Sequence, residues 1–184
     1  GLKYVDRNGD GKITAADETW IFNPVPDFSF GLNFSASYKD FDFTMFWQGV
    51  IGQDVYNDQK FQTDFWSLTD AGSNKGSRLI NAWTPANSSS TIPALTTNNT
   101  GNEGRSSTYF VENGSYGKLR TLQFGYNLPE KIRNKAHLTT ARFYVSGENL
   151  LTLKSKSLTC SDPENPNWAY PNPTSITFGV QIGF

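Results

Sequence analysis

Residues 175–184 alternate without a break: Ile176, Phe178, Val180, Ile182 and Phe184 fall on one side, and Ser175, Thr177, Gly179, Gln181 and Gly183 on the other. Successive side chains of a strand point to opposite faces, so this segment has one apolar face and one small, polar face. Two settings suit such a strand. In a soluble sandwich the apolar face meets a second sheet; in a transmembrane barrel it meets lipid while the other face lines a wet interior. The pattern runs on to Phe184, and an aromatic there suits the last strand of a barrel, seated at the membrane boundary.

Four more segments carry the same period. Phe28, Phe30, Leu32, Phe34, Ala36 and Tyr38 alternate with serines, Gly31 and Asn33; Phe41, Phe43, Met45 and Trp47 alternate with Asp42, Thr44 and Gln48. Further on, Leu122, Phe124, Tyr126 and Leu128 oppose Thr121, Gln123, Gly125 and Asn127, and Phe143 and Val145 oppose Arg142, Tyr144, Ser146 and Glu148. Each run is close to the ~9–11 residues of a tilted membrane-crossing strand. The expected fold is therefore all-β: five antiparallel strands belonging to a large transmembrane barrel, with long extracellular loops. The expected division is an extracellular segment 1–27, a hairpin 28–50, a long extracellular loop 51–117, a hairpin 118–151, an extracellular loop 152–174 and a final strand 175–184. With Phe184 on the periplasmic side, each short connection falls inside and each long one outside, as in bacterial barrels.

Composition bears on the choice. Mean hydropathy is -0.51, but a barrel hides from hydropathy because every second residue faces the lumen. No apolar run reaches the ~18–20 residues of a transmembrane helix. The net charge is -1 with no basic block, which argues against nucleic acid as a partner. One cysteine, Cys160, excludes a disulfide framework within the chain. The chain starts at Gly1 with neither an initiator Met nor a leader, and is expected to be a processed or truncated piece.

The sharpest local motif is Asp6-Arg7-Asn8-Gly9-Asp10-Gly11-Lys12-Ile13-Thr14-Ala15-Ala16-Asp17. It follows the calcium-loop pattern, with side-chain oxygens at positions 1, 3 and 5, glycine at 6 and a carboxylate at 12. The expected ligands are Asp6, Asn8, Asp10, the Lys12 carbonyl and Asp17, holding a structural Ca2+. The competing reading is an Asx-rich turn that needs no ion. Flanking EF-hand helices are not evident, since Pro24 and Pro26 follow closely.

No enzyme is expected. His137 is the single histidine and sits beside a turn, and no nucleophile–base set is visible. Trp66, Trp83, Tyr109 and Trp168 lie in the expected loops, as do Tyr116 and Tyr170. They are candidates for stacking on a substrate or burying against a partner.

Taken together, Tyr4-Val5-Asp6-Arg7-Asn8-Gly9-Asp10-Gly11, Asn23-Pro24-Val25-Pro26-Asp27-Phe28 and Phe46-Trp47-Gln48-Gly49-Val50-Ile51-Gly52-Gln53-Asp54-Val55-Tyr56-Asn57 resemble the C-terminal region of SusC/RagA-type TonB-linked outer-membrane transporters of Bacteroidetes. Ser115-Tyr116-Gly117-Lys118-Leu119-Arg120, Leu122-Gln123-Phe124-Gly125-Tyr126-Asn127-Leu128-Pro129, Arg142-Phe143-Tyr144-Val145-Ser146-Gly147-Glu148-Asn149-Leu150-Leu151 and the final strand continue it. The resemblance implies a plugged barrel of about 22 strands, engagement of TonB through a part absent from this chain, a SusD-like surface lipoprotein at the outer mouth, and import of oligosaccharides or peptides across the cell outer membrane. It also implies that outer-membrane lipid surrounds the strands. From another class, a soluble secreted carbohydrate-binding β-sandwich with calcium support fits the alternation and the motif. A passive porin shares the strands and lacks the plug.

Overall fold

The computed structural model describes residues 2–66, 74–97, 103–167 and 170–184, with the side chain of Trp66 left out. The chain forms two compact units, each taken by itself below.

The sheet unit comprises Val25–Gln53, Asn113–Leu158 and Tyr170–Phe184. Its five long strands are β1 (Phe28–Tyr38), β2 (Phe41–Ile51), β5 (Tyr116–Asn127), β6 (Thr140–Lys154) and β7 (Ser175–Gly183). They lie in the order β1-β2-β5-β6-β7, every pair antiparallel. The all-β, antiparallel expectation is met, and the register shows why the alternation specifies it. One row across the sheet reads Ala36, Phe43, Phe124, Val145, Phe178; the neighbouring row reads Ser37, Asp42, Gly125, Tyr144, Gly179. A one-residue slip in any strand would place a polar side chain in the apolar row.

The apolar face is open. Phe178 is 81% exposed at the edge, and Phe124, in the middle strand, is still 46% exposed. Among the described residues the sheet has no sheet partner, so the inward-packed face of a sandwich is absent. On the polar face Arg142 of β6 reaches across β5 to Asp42 of β2, Nε to Oδ2 at 2.9 Å and Nη2 to Oδ1 at 2.5 Å. The bridge passes over Gly125, where a Cβ would collide with both side chains.

Two short connections tie the strands. Lys39, at φ +54°, makes the two-residue turn between β1 and β2. Between β5 and β6 runs α2 (Glu130–Lys135), which ends as His137 adopts φ +56° and Arg133 donates to the Thr139 carbonyl. Register shifts between Phe46 and Trp47 and between Leu119 and Thr121, which sets Arg120 outside the pairing. Asn149 accommodates the same bulge at φ +51°, accepting from Arg120 Nη1 at 3.2 Å while donating to the Pro173 carbonyl at 3.1 Å.

The loop unit comprises Gly1–Pro24, Asp54–Glu112 and Thr159–Ala169. Strand β3 (Asp54–Tyr56) pairs with β4 (Val111–Asn113). Between them α1 (Asp58–Phe61) passes into a wider helical turn over Gln62–Trp66, and 3-10 turns form at Ser77–Asn81 and Thr108–Phe110. The core is aromatic: Phe110 is fully buried, with the rings of Tyr56, Phe61, Phe65 and Tyr109 centred 5.3–6.1 Å from it.

Candidate functional site

The loop unit carries two constellations. The first is the Asp6–Asp17 turn. Asp6 accepts the N–H groups of Gly9 and Gly11 at 2.7 and 2.8 Å, Asn8 Oδ1 that of Asp10 at 3.1 Å, and Asp10 that of Lys12 at 2.8 Å. Asp17 closes the loop, accepting from Arg7 N–H and Thr14 N–H, each at 2.8 Å. The Thr14 and Arg7 amides hold the Asp17 carboxyl below the usual carboxylate range. Gly9 and Gly11 sit at φ +76° and +79°, the left-handed region that glycine enters freely. Among the described residues, no three acidic, His or Cys side chains converge as a metal-holding group. Each Asp6 oxygen takes one amide, which leaves a second lone pair on each.

The second constellation is buried. Glu112, 6% exposed, accepts the Thr159 N–H and hydroxyl at 2.8 Å each and Asn57 Nδ2 at 2.9 Å, with Lys60 Nζ 3.3 Å away. Burial alone pushes this carboxyl up; those donors and the ammonium outweigh it and leave it below its ordinary value. Asp64, 1% exposed, pairs with Arg78 Nε at 2.9 Å and accepts the Tyr109 hydroxyl at 2.7 Å. Arg78 Nη1 also donates to Thr159 Oγ1 at 2.8 Å, which joins the two halves. Lys60 donates to the Tyr109 carbonyl at 2.6 Å and lies over its ring at 4.1 Å. Burial, then Asp64, drives the Tyr109 phenol above its usual range. Two cations thus balance two carboxylates, and each has a hydrogen-bonded partner, the condition on which buried charge is tolerated.

Of the aromatic residues expected to meet a substrate or partner, Tyr109 belongs to this network. Trp83 is 41% exposed and stands apart from it. Trp168 and the side chain of Trp66 lie outside the described residues. Tyr170 is 95% exposed, whereas Tyr116 begins β5 and is buried, so it offers no free ring. Lys60, Asp64, Arg78 and Glu112 carry no signal in the sequence. They are ordinary residue types, and Glu112 and Thr159 are 47 positions apart.

No family model matches the chain. Known proteins do. TonB-dependent receptor P3 of Formosa agariphila is 34% identical over 203 aligned residues, covering 100% of this chain and 19% of the receptor. TonB-dependent receptor P26 of the same organism is 32% identical, over 100% of this chain and 20% of its own length. TonB-dependent receptor SusC of Bacteroides thetaiotaomicron is 29% identical over 98% of this chain and 17% of the receptor. Among solved structures, the RagAB peptide transporter superposes with a TM-score of 0.72 at 27% identity, over 94% of this chain and 19% of that one. The RagAB peptide importer in its open-open state gives 0.74 at 26%, over 98% and 20%. The chain therefore spans about a fifth of the length of its relatives, none of which is named as an enzyme. Similarity over the whole of this chain and a five-stranded sheet with an open apolar face agree: the chain matches a segment of SusC/RagA-type TonB-dependent receptors, which are outer-membrane β-barrel proteins, and corresponds to five strands of such a barrel.

Proposed function

We propose that this chain supplies part of the wall and mouth of a TonB-dependent importer. The carrying observation is the sheet itself: five strands with one continuous apolar face and one polar face, whose two edge strands call for further neighbours. The long connections face outward, so the loop unit belongs to the substrate vestibule and to the seam with a SusD-like lipoprotein. The cargo is an oligosaccharide or a peptide; TonB acts through parts beyond this chain. The relatives named for TonB dependence and for peptide transport support this reading. Its test is uptake in cells carrying the intact receptor, with and without TonB, alongside co-purification of the surface lipoprotein. Import that requires TonB, and a heat-modifiable band of full receptor size, are expected. Uptake indifferent to TonB would point to a passive pore.

The Asp6–Asp17 turn we read as a structural calcium site on the outer surface, supported by its ligand spacing and its closure through Asp17. The purified receptor should contain calcium that Asp6→Ala with Asp10→Ala removes, and that variant should retain less lipoprotein. Unchanged calcium content and unchanged retention would leave a turn stapled by its own amides.

A further inference from the structure

At the end of the sheet unit that holds both short connections, the apolar face finishes in an aromatic row. Tyr38, Phe41, Tyr126, Phe143 and Val180 stand opposite one another in register across all five strands, the last such row before the turn at Lys39. The Phe41 ring is centred 4.8 Å from that of Tyr126 and 5.5 Å from that of Phe124, and Tyr38 is 72% exposed. A tyrosine, apolar in its body and polar at its tip, suits the boundary between hydrocarbon and water. Just past the row come the turn at Lys39 and the approach to α2, joined where the Asn127 N–H donates to the Asp40 carbonyl at 2.7 Å. The Lys39 ammonium lies 5.3 Å from the centre of the Tyr38 ring.

Helix α2 is sided. Residues three and four apart share a helix face, so Lys131, Ile132 and Lys135 lie together, with Glu130 and Arg133 opposite. Arg133 is turned back onto the chain: Nη1 donates to the Thr139 carbonyl, and Nε is closed off from solvent. The other face is open. Ile132 is 51% exposed, and the exposed Lys131 and Lys135 form no ion pair among the described residues. Across the turn and the helix, Lys39, Lys131, Arg133 and Lys135 outnumber the acids Asp40 and Glu130. In water this face leaves Ile132 uncovered between two lysines. At a membrane surface the same arrangement is favourable, because the apolar side chain sinks below the headgroups while the flexible lysine stems carry their ammonium groups to the phosphates.

We propose that this rim, the turn at Lys39 together with the Lys131–Ile132–Lys135 face of α2, is a docking surface for anionic phospholipid headgroups of the periplasmic leaflet. Ile132 and the Tyr38 row form its apolar seat, and Lys39, Lys131 and Lys135 meet the phosphate. The assignment rests on the importer reading above, which sets the long connections outside and so places this end in the periplasm; it adds which lipid the wall recruits and the residues that recruit it. The charges and the apolar side chains lie side by side where a lipid-facing surface ends, the depth at which headgroups and acyl chains meet. A water-borne anion would use the lysines and leave Ile132 exposed.

The test uses the intact receptor, stripped of lipid in detergent and offered dioleoyl phosphatidylglycerol or dioleoyl phosphatidylcholine, the retained lipid being counted by native mass spectrometry. Phosphatidylglycerol should be held roughly tenfold more tightly, the scale of one or two cations near an anionic surface, and the preference should shrink as salt rises. Lys131→Gln with Lys135→Gln should abolish the preference, and Lys131→Arg with Lys135→Arg should keep it. Ile132→Ser should weaken both lipids alike, since it removes an apolar seat and no charge. All three residues are exposed, so each variant should retain the shift on boiling of a closed barrel. Equal retention of the two lipids by the wild type, or a preference untouched by the glutamine pair, overturns the assignment. So does a glutamine pair that impairs uptake while its lipid preference stands, which would give the rim to a periplasmic protein. TonB-dependent uptake in the same strains keeps the two readings apart. Uptake that needs TonB beside an unmoved lipid preference sinks the lipid surface alone; a lost preference beside uptake indifferent to TonB sinks the importer alone.

Discussion

Glu112 is the residue on which the loop unit's polar core turns, because three residues from two distant stretches of chain converge on it: Asn57 and Lys60 from the start of α1, and Thr159. Its carboxyl is held below the ordinary value in the folded state, so the unfolded chain binds that proton more readily. The stability it contributes is complete above the unfolded value, near pH 4.5, and is lost as pH falls through the lower folded value. Limited proteolysis of the loops in the intact receptor should therefore accelerate in that acid window. Glu112→Gln should remove the pH step and cost about 1–3 kcal/mol, because a weaker acceptor faces a retained ammonium. A pH step that survives in Glu112→Gln would place it on another group. None of this was legible in the sequence, where Glu112 is one acid among 17 Asp and Glu residues. The Asp6–Asp17 turn was legible, since its spacing is local and its glycines stand where the backbone turns left-handed. Gly49 shows a constraint of a different kind. A Cβ there would meet the Tyr116 carbonyl oxygen and the Phe30 ring, and a carbonyl fixed in a ladder cannot swing aside. Gly49→Ala should destabilise the receptor by about 1–3 kcal/mol, whereas Gly104→Ala, which meets only the Phe61 ring at 3.6 Å, should be nearly silent. Heat-modifiability of the two variants on gels checks the pair.

At the scale of elements, period-2 alternation fixed the strands because one face must be apolar throughout and a single-residue slip is ruinous. The reading weakened where the ladder is irregular. Leu119 and Leu122 both sit in apolar rows although three positions separate them, since Arg120 is extra to the pairing. A strict alternation cannot anticipate that, and the compensating signal, an asparagine at 149 able to take φ +51°, is visible only once β5 and β6 are aligned. In the loop unit the described helical segments are short, residues 58–66 and the 3-10 turn Ser77–Asn81. The aromatic contacts around Phe110 set the geometry there, overriding weak propensity in segments too short to hold a helix by themselves. The two faces of β7 can be told apart chemically. Cys160 is 1% exposed and should not react, so single cysteines at 177 and 178 report their own surroundings. In membranes, Thr177→Cys should label with a charged maleimide and Phe178→Cys only with a lipophilic one. Equal labelling of both by the charged reagent would mean that no lipid covers the apolar face.

For the whole molecule, the question is what the sheet does with its open face and its two edges. Phe143, Val180, Ile182 and Leu153 lie on the apolar face at 46–56% exposure, and a contiguous patch of this kind exceeds what a soluble monomer tolerates. Strands β1 and β7 each have one neighbour among the described residues, leaving a row of backbone donors and acceptors on the far side. In hydrocarbon such groups cost several kcal/mol each, and in water they invite pairing with other chains. Five strands are too few to close a barrel, the smallest of which have about eight, so the sheet is complete only with the neighbouring strands of a larger barrel. The 184 residues expressed alone should therefore not form a stable soluble domain. Refolded into buffer they should aggregate through the sheet, and in detergent they should lack the shift on boiling that marks a closed barrel. The receptor in which they reside should show that shift and a cooperative melt. Size-exclusion chromatography and a thermal scan of the isolated chain decide the matter. A soluble monomer near 20.5 kDa with a cooperative transition would mean that the apolar face is covered from within, the arrangement of a sandwich, and would overturn the membrane setting of every strand.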